Sequence, residues 1–533
     1  MPYYFSFQYS AIQKTVFRHD RLWASAGMSQ LLAWINEIQM PAIAHKGDVL
    51  VAGGGKFTAR FAGENDAELA RQKVKRLVAT SLPMIEFQCS HKVIEAKDLA
   101  TAKEKGLVLD LLNQKNRLRG YGISYPPYMQ VCEECGEYPI EKDLRRREEK
   151  ISVCRICHQA FTTRPNLNPH SGSHLTSMER IYQRYLNLLD PGTRNKHHRK
   201  TPLIPLDFER LFPPADKVEK VDAQERRRMA VWLSDTNNMN GKVPIWFDQP
   251  EDIIPKIFDK LKEVNIEIVA GALADVFKRK TWIRHESGEY LPFRLIVAGG
   301  DDLCLVFAEK YAIPFAQALS KNFRERIEKI DHDDSKDISR CLSLSWLREN
   351  SQSGRDPGSY SFGGAFVVTP LHTPFRAIHE LGETLVGEAK ERSGRKANSL
   401  HWRILSLDEE ATVEGKIPFE KPVFIERGAE THNELAHHLS LSDYEALRRF
   451  YRSPRLSLSQ IRLIASVLLS HPLDPEGAER ELIRMAAAGT EKGLQYLLAD
   501  EELHQNGVLD DGLKIGRVGT LLELLTLQNE GEE

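Results

Sequence analysis

The sequence predicts an α+β protein of several domains, and three observations predict it. A strand, a glycine turn and a second strand occur twice, at 51–61 and 297–307, identical at five of eleven positions in one register. Two Cys-x2-Cys pairs lie between the copies, and beyond Trp402 the apolar pattern turns helical. A chain of 533 residues exceeds what one core usually organises. The punctuation divides it at 1–125, 126–202, 203–408 and 409–533.

The first copy reads Val51-Ala52-Gly53-Gly54-Gly55-Lys56-Phe57-Thr58-Ala59-Arg60-Phe61. An apolar strand within the first ten residues and an apolar helix from Ser29 to Trp34 precede it. Glycines at a hairpin tip permit positive φ and close approach of a phosphate to the backbone. Gly53, Gly54 and Gly55 are therefore expected to admit a nucleotide, with Lys56 meeting a phosphate. The plain alternative is a structural partner domain that only shapes a cleft.

Cys132-Glu133-Glu134-Cys135 and Cys154-Arg155-Ile156-Cys157 follow, separated by eighteen residues. Four thiolates in two such knuckles suit tetrahedral Zn²⁺, and a four-cysteine set leaves no open position for catalysis. The expected role is structural. His158 is read as a bystander, and Cys89, Cys304 and Cys341 as small core residues. One helix, Met178 to Leu189, is expected inside the connector to the second copy.

The second copy, Val297-Ala298-Gly299-Gly300-Asp301-Asp302-Leu303-Cys304-Leu305-Val306-Phe307, carries two aspartates where the first has Gly and Lys. Carboxylates on a hairpin tip suit Mg²⁺, a hard ion that often bridges protein oxygens to substrate phosphates. A polar β-turn is the plain alternative. A second strand, Met229 to Ser234, ends in Asp235, so acids from two neighbouring strands can share metal ions. A Ser361-Phe362-Gly363-Gly364 strand follows, then a helix opened by Thr373-Pro374 that closes in Ala389-Lys390-Glu391-Arg392-Ser393-Gly394-Arg395. After a last strand at Trp402 to Leu405, a helical bundle is expected, with Ser442 and Glu445 as a capping box.

These motifs together resemble the palm/cyclase superfamily that includes diguanylate cyclases. The opening run Arg21-Leu22-Trp23-Ala24-Ser25, the order of the four segments and the Gly-Gly-Asp-Asp hairpin narrow the resemblance. The chain looks like the large polymerase/cyclase subunit of type III CRISPR effector complexes, nearest to the subtype B version, over essentially its whole length. That resemblance implies two ferredoxin-like palm domains forming a pseudo-dimer, a zinc insert and a helical C-terminal domain. It implies Mg²⁺ or Mn²⁺ on Asp235, Asp301 and Asp302, ATP as substrate, and Gly299, Gly300 and Lys390 against the nucleotide. A solvated helix-end lysine is the alternative for Lys390. The expected partners are other effector subunits, guide RNA and target RNA, and the expected product is cyclic oligoadenylate. Many members begin with a His-Asp nuclease domain. None is expected here, and His19-Asp20 is read as structural.

Composition bounds the rest. Net charge is −2, with 41% hydrophobic and 28% charged residues, so the chain is no uniformly basic glove for nucleic acid. No run is apolar enough to span a bilayer and no secretory signal is present, so a cytoplasmic location and no membrane partner are expected. Gly55-Lys56 is followed by Phe57, which excludes a Walker loop. Residue chemistry alone supports a nucleoside triphosphate cyclase or polymerase. Transfer of AMP to another acceptor, a GTP-using cyclase and a non-catalytic scaffold remain open at this stage.

Overall fold

A computed structural model describes residues 1–10, 12–19, 21–82, 85, 87–107, 129–146, 149–165, 175–190, 202–214, 227–299, 301–331, 338–351, 357–371, 373–405 and 424–425. The expected helical domain at 409–533, with its Ser442 cap, lies outside the described residues apart from Phe424–Ile425, as do Asp20 and Gly300.

The amino-terminal sheet is built from β1 (Tyr3–Tyr9), β2 (Asp48–Gly53), β3 (Lys56–Phe61) and β4 (Phe87–Cys89), in the order β2-β3-β1-β4, with β5 (Ile94–Glu95) also on β1. The cysteine segment carries its own hairpin, β6 (Lys142–Arg146) and β7 (Glu149–Val153). The second large sheet begins at β8 (Arg228–Thr236). After a small hairpin of β9 (Ile283–His285) and β10 (Gly288–Tyr290) come β11 (Phe293–Gly299), β12 (Asp302–Ala308), β13 (Phe362–Pro370), β14 (Ser399–Ile404) and β15 (Phe424–Ile425). Its order is β11-β12-β8-β13-β14-β15. Its first four strands repeat the order of the amino-terminal sheet. Both are the split βαβ arrangement of ferredoxin-like units, with the first strand between the third and the fourth.

The duplication extends to register. The β2-β3 pairing slips between Val49 and Val51, and the β11-β12 pairing slips between Leu295 and Val297, the matching positions of the two strings. Gly53 pairs with Lys56 across the first turn, and Gly299 with Asp302 across the second. On the neighbouring strand, Gln8 pairs with Lys56 where Asp235 pairs with Asp302. The first module therefore lacks all three acids, not only the two at the hairpin.

The second sheet is covered on both faces, which is why its strands are apolar almost throughout. Ala230 and Trp232 join one core with the Ser177–Leu189, Ile254–Val276 and Ala312–Asp331 helices. Met229, Val231 and Leu233 join the other, with the Leu22–Trp34, Glu64–Ser81 and Phe375–Arg392 helices. The period-two alternation of a strand places neighbours in different cores. The Ser177–Leu189 helix is fixed by a reciprocal capping box between Thr176 and Glu179.

The Leu22–Trp34 helix is buried nearly all round, because it lies between β11 and the Arg155–Thr162 helix of the cysteine segment. Trp23 packs on Phe161 with ring centroids 4.6 Å apart. Gly27 permits the approach: a Cβ there would lie 1.8 Å from the Ala160 carbonyl oxygen. A π turn, Ile35–Gln39, continues the helix. Gly27→Ala should thus destabilise the protein by about 1–3 kcal/mol despite the better helix propensity of alanine. Urea unfolding measures this, and an unchanged or raised midpoint would contradict the close helix contact.

Candidate active site

Three carboxylates converge at one end of the second sheet. Asp235 stands one residue before the end of β8, and Asp302 opens β12 directly opposite it in the antiparallel register. Asp301 precedes Asp302 in the turn, where its carbonyl accepts a hydrogen bond from the Thr236 amide at 3.3 Å. One oxygen from each of the three lies within 4.8 Å of the others. The sequence had named this trio, and the structure brings it together.

Lys390 is neither solvated nor free. It is buried at the end of the Phe375–Arg392 helix, and its ammonium donates to Asp235 Oδ2. Its stem runs over Gly363, the β13 residue paired with Asp235, and a Cβ at Gly363 would lie 2.3 Å from Lys390 Cγ. The Phe-Gly-Gly string thereby acquires a steric reason. Its second glycine, Gly364, leaves room for the Trp232 indole, 2.9 Å from where a Cβ would be.

Two cavities meet at the acids. One, of about 980 Å³, opens between Asp301, Asp302 and the first module, where Tyr9, Gly54 and Gly55 line it. The other, of about 620 Å³, is lined by Asp301 and Asp302 together with Ser177, Lys262 and Asn265. Gly54 and Gly55 take φ of 56° and 74° in the left-handed region, which suits glycine. Gly53 and Lys56 are not among the lining residues. Lys56 is exposed, and Gly53 packs against Lys262, whose Cε would lie 2.8 Å from a Cβ there. Gly299 lines both cavities.

Several residues at the site went unmarked in the sequence. Lys262, from the Ile254–Val276 helix, donates to the Ala52 carbonyl and so joins the second module to the first hairpin. Glu37 accepts from the Ser177 amide at 2.8 Å and hydroxyl at 2.9 Å, joining the π turn to the connector helix. Glu383 lines the larger cavity two helical turns before Lys390, beside His379, whose ring lies on Phe17 with centroids 3.4 Å apart. Extending the repeat by one strand would have found Gln8. Nothing local to Lys262 or Glu383 distinguishes them from solvated helix positions.

The electrostatics call for a cation. Burial, and then the Asp235 carboxylate, push Asp301 up to about 6. Burial, with Asp301 and Asp235 beside it, pushes Asp302 up to about 7. Glu383 is raised by burial and by Asp235. Buried Asp235 Oδ1 has no hydrogen-bond partner among the described residues. An oxygen-only donor set with an orphaned carboxylate oxygen and mutual repulsion fits Mg²⁺ or Mn²⁺.

The cysteines form the second cluster. Cys132, Cys135, Cys154 and Cys157 place their sulfurs within 4.8 Å of one another, and Cys135 Sγ stands 3.9 Å from Cys154 Sγ. Tetrahedral zinc at about 2.3 Å from each sulfur requires sulfur separations of about 3.8 Å. Hydrogen bonds from the neighbouring thiols pull Cys132 well below the usual thiol range, and the Cys132 sulfur in turn raises Cys157. Four thiolates so close can all ionise only with a cation among them. Cys154 caps the Arg155–Thr162 helix, its Sγ accepting from the Cys157 amide at 3.5 Å. Of the remaining cysteines, Cys304 is buried, while Cys89 and Cys341 are half-buried.

No family model matches the chain and no curated protein matches it. Among solved structures it is similar to a Csm1–Csm4 cassette in complex with cA4, at TM-score 0.46 and 13% identity over 99% of this chain and 70% of that one. It is also similar to Csm1 in T. onnurineus, at 0.46 and 12%, covering 99% and 69%. A Csm1–Csm4 subcomplex in the type III-A CRISPR-Csm interference complex matches at 0.41 and 13%, covering 99% and 70%. These names are those of a type III-A assembly, whereas the motifs stood nearest subtype B. At such identities and scores the similarity assigns nothing to this chain. Among the described residues, no helix is long and apolar enough to cross a membrane.

The shifted acids fix a pH dependence. Asp301 and Asp302 hold protons more tightly in the fold than at their usual 3.8. Their contribution to stability is therefore fully present below about pH 4 and is lost as pH rises through 6 and 7. A divalent cation competes with those protons. The rise in melting temperature on adding Mg²⁺ or Mn²⁺ should be small near about pH 5 and large near about pH 8. Asp302→Asn should abolish most of that rise, and raise the cation-free melting temperature near pH 8 by about 2–4 °C. Scanning calorimetry at both pH values checks this, and a cation effect independent of pH would refute it.

Proposed function

We propose that the chain is a metal-dependent nucleotidyltransferase of the palm type, the cyclase subunit of a type III CRISPR effector complex, which joins ATP into cyclic oligoadenylate when the assembly binds target RNA. The observation that carries the enzymatic part is the register of Asp302 opposite Asp235, with Asp301 adjoining, where two cavities meet. The family and the product rest on the sequence motifs: the acid-ended strand, the Gly-Gly-Asp-Asp hairpin, the Phe-Gly-Gly strand, the Ala-Lys helix end and the zinc-type knuckles between the two modules. The motifs stand nearest the subtype B version, and the subtype is read from them alone.

In this reading the two modules form an asymmetric pseudo-dimer with one active half. A divalent ion held by Asp235, Asp301 and Asp302 supplies neutralisation of phosphate charge and acidification of the attacking hydroxyl. The chain's own residues do the rest. Gly299, with Gly300, lets a triphosphate approach the β11–β12 turn. Lys390, held against Asp235 before substrate arrives, offers its ammonium to the phosphates. Gly54 and Gly55 form the far wall of the larger cavity and leave room for the acceptor nucleotide. Lys56, exposed beside that wall, meets the acceptor's phosphate only if the hairpin closes further. The two cavities give donor and acceptor separate places with the acids between them. Zinc at the four cysteines is structural. Neighbouring effector subunits, guide RNA and target RNA are the partners, in the cytoplasm.

Incubating the assembled complex with labelled ATP or GTP, with and without target RNA, tests the reading. ATP should yield cyclic product only with target RNA. Asp301→Ala with Asp302→Ala should lower the rate by about three orders of magnitude, as loss of several kcal/mol of metal-centred stabilisation implies. Product from GTP alone would move the assignment to a GTP-using cyclase. Undiminished product from the double variant would place the chemistry elsewhere.

A further inference from the structure

We propose that His19 is a positioning residue of the four-cysteine centre, donating its Nδ1–H to the Cys157 sulfur, and that the centre thereby anchors the Leu22–Trp34 helix that walls the larger cavity. The inference rests on the metal reading of the four cysteines and is independent of the nucleotide chemistry. His19 is fully buried, and its Nδ1 lies 3.7 Å from Cys157 Sγ. Its Nε2 is buried with no hydrogen-bond partner among the described residues. The tautomer with its proton on Nδ1 directs the ring's one N–H at sulfur, whereas the other tautomer buries an unpaired donor. A four-thiolate zinc centre carries net charge −2, and a donor outside the ligand set offsets part of it and fixes the sulfur's direction.

The flanking residues clasp the first knuckle. The Arg18 guanidinium pairs with Glu137 at 3.4 Å and lies over the Tyr138 ring at 5.3 Å. The Arg21 amide donates to Glu134 Oε1 at 3.2 Å, and its guanidinium stands 3.3 Å from Glu134 Oε2. Glu134 lies between the first two cysteines in sequence, and Arg21 is the residue before the helix. The same helix packs on the Arg155–Thr162 helix, which Cys154 caps. Ser29 and Leu32 of the anchored helix line the larger cavity. The metal centre thus reaches the cavity wall through both of its cysteine pairs.

The test uses the full chain stripped of metal and titrated with Co²⁺, whose thiolate charge-transfer and ligand-field bands report the ligand set. Zn²⁺ competition then gives affinity. His19→Asn keeps an N–H near the place of Nδ1, and His19→Leu has similar shape without it. The leucine variant should bind Zn²⁺ about ten- to a hundredfold more weakly and shift the charge-transfer band, with the asparagine variant between it and the parent. Hydrogen exchange at 22–34 should speed up on metal removal in the parent protein. Equal affinities and spectra for the parent and the leucine variant would overturn the donor role. If the leucine variant does not fold, a full hundredfold loss in the asparagine variant would do the same. Unchanged exchange at 22–34 on metal removal would overturn the anchoring. Failure of the parent to bind Co²⁺ through thiolates would overturn the metal reading and the inference together, without touching the nucleotide assay.

Discussion

Three like charges held on two adjacent strands are the constraint around which the second module is arranged. Antiparallel pairing sets the Asp235 backbone opposite that of Asp302, and the turn adds Asp301, so the sheet holds the three acids close together. Burial makes their repulsion count, as the upward shifts of Asp301 and Asp302 record. One internal cation, Lys390, meets one carboxylate. The one ion pair the trio makes among the described residues leaves its charge only partly balanced, and the open cavities beside it have room for a divalent ion.

The amino-terminal module shows what the same scaffold does without that constraint. Its sheet order, its hairpin slip and its turn pairing match the second module, yet Gln8, Gly55 and Lys56 stand where Asp235, Asp301 and Asp302 do. With no acids to hold apart, the hairpin tip is free to be all glycine and to approach a neighbour. Its neighbour is the second module: Gly54 and Gly55 line the cavity above the acids, and the Ala52 carbonyl receives Lys262. Acids in one copy and none at the matching positions of the other therefore give the larger cavity a floor and a wall.

What was legible in the sequence followed local periodicity and punctuation. Asp235 was visible as the polar end of an apolar strand, the hairpin acids as a departure between two near-identical strings, and the zinc-type knuckles by spacing alone. What was not legible depends on which helix face turns inward. For Lys390 the sequence left a nucleotide contact and a solvated helix end side by side, and only the groove that Gly363 leaves for its stem shows it buried against Asp235. Glu383 and Lys262 sit among other charged residues on long helices, and only the helix docking aims them at the cavities. Glu37 is aimed by a π turn, a local distortion that no hydrophobic period announces.

His19 shows the same limit from the other side. As a His-Asp dipeptide it invites a catalytic reading, and its separation of 138 residues from Cys157 hides its contact with the knuckle. The segment holding it is short of regular structure and is set by side-chain pairs: Arg18 with Glu137, His19 with Cys157, Arg21 with Glu134. Its described residues lie outside helix and strand, so these side-chain contacts tie it to the cysteine segment. It touches both cysteine knuckles and leads directly into the helix that packs on β11. A metal ion bound by the four cysteines would do for the first module what strand pairing does for the acids of the second: it would fix one wall of the larger cavity.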